Sequence, residues 1–195
     1  LPKIAAIDIG NSSKGVINLL REISPPDMRD RFMHVEFELS ERFGINVMDT
    51  RVGCQKPTSA ERGFLTNFLT LVLTPVGSTE PIQDATQIAT MLIDELYTVC
   101  AEDNPTKYID GQDKTTTQWL QNQRDFEVKK STTWWQVVYF AMSKKAYDVA
   151  GSAQRFAVPS LKMMPSRLAM SDSLKTLYGQ DNPILVDAKR LILGF

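Results

Sequence analysis

The chain has 195 residues, 43% of them apolar, and a formal charge of −1, which is material for one core of ordinary size or two small cores sharing a seam. That charge balance leaves no cationic surplus to bind a polyanion by counterion release, so no direct nucleic-acid contact is expected. Two cysteines, Cys54 and Cys100, are too few for a disulfide framework, and a reducing, cytoplasmic setting follows as the simpler expectation.

Ile4 to Ile9 is a short apolar run closed by Gly10-Asn11-Ser12-Ser13, the pattern of a buried, parallel strand and its turn. Val16, Ile17, Leu19, Leu20 and Ile23 then predict a helix that Pro25-Pro26 ends. Met33, Val35, Phe37 and Leu39 alternate with His34, Glu36 and Glu38, which predicts a half-exposed strand, and Ile45 to Met48 reads as a shorter one. Residues 1–55 are therefore expected to be α/β. From Thr58 the period becomes helical, and 56–195 reads as a helical domain; the fold class expected for the whole is α+β, mainly α.

Thr58 and Glu61 have capping-box spacing ahead of a helix carrying Phe64, Leu65, Phe68, Leu69 and Val72. The longest apolar stretch, Phe64 to Val76, is broken by polar residues and Pro75 and falls short of the roughly 20 residues of a membrane span. A second helix is predicted from about Glu80 to Ala101, with Pro81 in its first turn. A short polar helix follows around Trp119. Thr133 with Gln136 caps a helix holding Trp134, Val137, Val138 and Ala141, continuing or kinking towards Phe156. Leu168 to Tyr178 predicts one more helix ended by Gly179, and Asn182-Pro183 opens the last. The lack of an initiator Met, the strand-like opening and the apolar close at Leu191 to Phe195 together read as a piece of a larger protein.

Asp8-Ile9-Gly10-Asn11-Ser12-Ser13-Lys14-Gly15 resembles the first phosphate loop of actin-like and sugar-kinase ATPases, where small residues let backbone amides reach a phosphate. An actin-like nucleotide-binding protein is thus one alternative and a helical adaptor another, although the helical spacing of Val16 to Ile23 stands where the actin-like hairpin should be. Thr90 to Glu95 has the form of an apolar strand ending in Asp-Glu, as in P-loop ATPases, but its helical period assigns Asp94 and Glu95 to a solvated helix face. No Gly-x-x-x-x-Gly-Lys-Ser/Thr occurs, and the single histidine, His34, has no partners at metal-ligand spacing. No metal site and no catalytic residue are expected in this chain. Trp134 and Trp135, about 100° apart on a helix, are the interaction candidates, one indole entering the core and the other meeting a neighbouring element or partner.

Three segments together resemble the ATPase of type IV secretion and conjugation systems, in the branch that includes IcmB/DotO and plasmid TraU proteins. They are Ile4 to Ser13; Ile45 to Cys54 with Pro57-Thr58, Glu61-Arg62 and Phe64 to Thr70; and Thr133 to Val138 with Ala153 to Pro159. The chain departs from that pattern at Val47-Met48, where Pro-Phe is expected before Asp49. The resemblance implies a partial RecA-like α/β segment and a helical-bundle insertion, lying between the phosphate loop and the Asp-Glu strand of a P-loop motor. It implies that Asp8, Gly10, Ser12 and Asp49 lie towards nucleotide in the parent, which would supply the site for ATP and Mg, with no cofactor in this piece. It further implies a bacterial protein that forms hexamers on the cytoplasmic face of the inner membrane. The implied partners are other secretion ATPases or inner-membrane complex proteins, and the implied work is coupling ATP turnover to export of protein or DNA.

Overall fold

The computed structural model describes residues 12–35, 46–179 and 182–193, and the chain divides into two compact units, Leu1–Ile45 and Asn46–Phe195. It is mainly helical. Among the described residues there is no strand, only an isolated antiparallel bridge between Lys107 and Thr133.

In the first unit, helix α1 spans Ser12–Ile23, with Val16, Leu19 and Ile23 exposed. The Ser24 hydroxyl donates to the Leu20 carbonyl, and Pro25 and Pro26 convert the chain into a 3-10 turn, Pro26–Arg31. The strand expected at Ile4 to Ile9, with Asp8 and Gly10, lies outside the described residues. The alternation beginning at Met33 builds no strand over its described part: Phe32 to Val35 is irregular and His34 half-buried.

The second unit begins at Asn46, so residues 46–55, assigned to the α/β segment from sequence, pack with the helices instead. The strand expected at Ile45 to Met48 is corrected to a turn over its described part. The Asn46 side chain accepts from the Met48 amide at 3.1 Å, and the Asp49 amide donates to the Asn46 carbonyl, a local bonding pattern that competes with pairing to a neighbouring strand.

Helix α2, Ser59–Val72, starts on the Thr58 capping box. The Thr58 hydroxyl accepts from the Glu61 amide, and the Glu61 carboxylate accepts from the Thr58 amide at 2.7 Å. Thr58→Ala is expected to lower stability by about 1 kcal/mol, read as a lower urea midpoint at unchanged slope. Hydrogen bonds from the Thr58 backbone and then its hydroxyl hold the Glu61 carboxyl below its ordinary range. That contribution is present above the ordinary carboxylate pKa and is lost as pH falls through the lowered one.

Helix α3, Ala85–Thr98, begins later than Pro81 because Asp84 adopts a left-handed conformation (φ 57°), and it ends in a π turn, Val99–Asp103. Helix α4 is Lys114–Gln121, capped by Asp113. Helix α5, Trp134–Ser143, starts on a second capping box, from Thr133 and Gln136. It does not run on to Phe156: left-handed Lys145 (φ 58°) separates it from α6, Tyr147–Gln154. The helix expected at Leu168 to Tyr178 is two, α7 (Met164–Met170) and α8 (Asp172–Tyr178), because Ser171 turns extended and its hydroxyl caps the Leu174 amide. Helix α9 is Pro183–Leu193.

Two apolar cores result. One gathers Leu65, Leu69, Ile88, Leu92, Ile93, Leu96, Met164, Leu174 and Ala188 from α2, α3 and α7 to α9, together with Met48 from the turn before α2. The other gathers Leu120, Trp134, Trp135, Val138, Ala150, Ala153 and Ala157 from α4 to α6 and the residues just after.

Candidate functional site

The densest polar arrangement in the second unit surrounds the loop Asn46–Gln55, which contains Asp49. Its first turn is tied to the α3 core: the Met48 side chain is fully buried there and its carbonyl accepts from the Tyr97 hydroxyl at 2.6 Å. Burial, and then the charges of Asp49 and Glu61, push the Tyr97 phenol well above its ordinary pKa, so it stays a donor to that carbonyl. The Asn46 side-chain Nδ2 donates to the Pro159 carbonyl at 2.8 Å.

The second turn, Arg51 to Cys54, closes through a bond from the Cys54 amide to the Arg51 carbonyl and needs positive φ at Gly53 (86°). A Cβ there would also fall 2.3 Å from the Met142 sulfur. The Gly53 amide donates to Gln154 Oε1 at 2.7 Å. Gln154 Nε2 donates to the Thr50 carbonyl at 2.8 Å and lies 3.3 Å from Asp49 Oδ1, Thr50 Oγ1 and the Arg51 carbonyl. This carboxamide is only 2% exposed, and it projects from the last turn of α6. On its outer side the loop presents Asp49, Val52 and Arg51, the last 3.5 Å from Glu61.

The family resemblance named Asp49, as a residue towards nucleotide, and gave no role to Gln154. The signal was available: Ala150, Ala153, Gln154 and Ala157 share the i, i+3, i+4, i+7 spacing of one helix face, so the glutamine falls among residues that enter the core.

The other expected site residues are scattered or differently used. Ser12 is the first residue of α1 in the first unit, and Asp8 and Gly10 lie outside the described residues. Both tryptophans are buried, at 0% and 3% exposure, and each meets neighbouring rings within the chain. Trp134 is sandwiched by Phe156 and Tyr108, with ring centroids 4.6 and 4.7 Å away, and Trp135 stacks on Tyr139. Both belong to the core that α4, α5 and α6 share, with α6 packed along α5.

Asp94 and Glu95 stand on α3, as the helical period required. Arg62 forms a two-pronged ion pair with Asp94 (2.7 and 2.5 Å), and Arg167 meets Glu95 at 3.0 Å beside a shallow groove of about 390 Å³ that also touches Thr98, Asp103 and Ser173. No phosphate-loop sequence occurs in the chain, and arginines engage both acids among the described residues. Among them no group of three His, Cys, Asp or Glu is placed to hold a metal, and no helix is long and apolar enough to cross a membrane.

No family model, no curated protein and no solved structure matches the chain.

Proposed function

We propose that the chain is a middle region of a type IV secretion ATPase, a RecA-like α/β segment followed by a helical insertion that makes subunit or partner contacts in a hexameric motor. The reading rests on the resemblance in three segments, and one observation supports it. The second and third segments, about a hundred residues apart in sequence, meet in one place: Gln154 bonds to Thr50, Arg51 and Gly53, and Asn46 bonds to Pro159. A signature spread over distant stretches has a physical reason to occur together when those stretches share a seam. ATP and Mg belong to the parent, whose flanking polypeptide would supply the phosphate loop and the Asp-Glu strand.

The test is steady-state phosphate release with Mg-ATP. This chain alone is expected to stay at the blank rate, while a polypeptide extended through both flanking motifs is expected to turn ATP over and to scatter light as a hexamer. Sustained turnover by this chain, or a gene with no phosphate loop upstream of it, sinks the reading. Saturable ATP binding lost on Asp8→Ala would favour the actin-like alternative.

A further inference from the structure

The two apolar cores of the second unit have no residue in common. The closest helix pairings, α2 with α3, α3 with α7 and α8, and α7 with α9 on one side, α5 with α6 and α4 with α6 on the other, all fall within one core or the other. The loop Asn46–Gln55 belongs to both. Met48 is packed in the α3 core and its carbonyl is held by Tyr97; within five residues the same backbone is held by Gln154 of α6 and abuts Met142 of α5.

We propose that Gln154 is a latch: its carboxamide couples the α4–α6 lobe to the rest of the unit through the Asp49–Gly53 backbone, and releasing it lets that lobe open independently. The side-chain chemistry suits the role. A carboxamide offers two donors and an acceptor on one rigid plane, and here the donors face the Thr50 and Arg51 carbonyls and the Asp49 carboxylate while the acceptor faces the Gly53 amide. Glutamate could keep the bond to Gly53 but has nothing to donate to the carbonyls, and methionine keeps the volume and loses both. Because the residue is buried, a lost partner leaves loop groups unpaired in a place water reaches poorly. The same bonds fix the direction in which Asp49, Arg51 and Val52 face outward, so a force on α6 and a ligand on the loop would act on one set of contacts. The inference stands on contacts within this unit and does not depend on the function proposed above.

The sequence supplies its own probe. All three tryptophans, Trp119, Trp134 and Trp135, lie on α4 or α5, so their fluorescence reports the α4–α6 lobe alone, whereas far-ultraviolet circular dichroism reports the helices around both cores together with α1 of the first unit. In the unsubstituted chain the two signals are expected to share one urea midpoint. In Gln154→Met the fluorescence midpoint should fall below the dichroism midpoint, and the Gly53 amide should exchange with deuterium about tenfold faster. In Gln154→Glu, which keeps the acceptor, Gly53 exchange should rise less than in Gln154→Met while the midpoints still separate. Midpoints that fall together in both variants would make Gln154 an ordinary packing contact and overturn the latch. So would midpoints already separate in the unsubstituted chain, or separate midpoints with Gly53 exchange unchanged in Gln154→Met.

Discussion

Replacing Trp134 by alanine is expected to destabilise the α4–α6 lobe by about 3 to 5 kcal/mol. The side chain is fully buried, stacks on Phe156 with rings 24° apart, and meets the edge of Tyr108. Its removal leaves a cavity whose walls are aromatic rings anchored on separate elements, which cannot all close in. The indole N–H has no hydrogen-bond partner among the described residues, so Trp134→Phe, which keeps a stacked ring and drops the donor, should cost less than half as much. Urea titrations followed by dichroism, with Trp119 and Trp135 as remaining fluorophores, measure both. A loss below about 1 kcal/mol for Trp134→Ala would contradict the burial.

The other large effect belongs to the opposite core. Leu92 sits on α3, fully buried among the residues of α2 and α7 to α9, and Leu92→Ala is expected to cost about 2 to 5 kcal/mol. No tryptophan touches that core, so the fluorescence change has to arrive through the seam. If the unit is cooperative, fluorescence and dichroism midpoints drop by equal amounts. A dichroism midpoint that falls while fluorescence holds would show that the two cores unfold separately even with Gln154 in place.

Helix content and helix starts were legible in the sequence because each is a local matter. Thr58 with Glu61 and Thr133 with Gln136 announce capping boxes whose four bonding groups lie within four residues, and both form. Breaks were less legible. Left-handed Asp84 and Lys145, and Ser171 turning extended, divide or delay helices at residues with no Gly or Pro to give warning. The short apolar run ending at Met48 was read as a strand, yet the Met48 side chain serves the α3 core from a turn that Asn46 dictates, and alternation over so few residues cannot separate the two. The candidate site was not legible from local pattern: Asp49 was named only through the family resemblance, and Gln154 matters through partners about a hundred positions away, which no local period encodes.

One more feature bears on how this chain could vary. The Tyr108 amide donates to the Thr132 carbonyl and the Trp134 amide to the Thr106 carbonyl, so the excursion that carries α4 leaves and returns at the same point. Its ends are pinned side by side whatever its length, and the entropy of closing such an excursion grows only with the logarithm of its size. Residues added at its exposed stretch Glu127-Val128, past the Phe126 ring that stacks on Phe140, would therefore change the outline of the lobe while leaving the start of α5, and the aromatic packing beneath it, where they are.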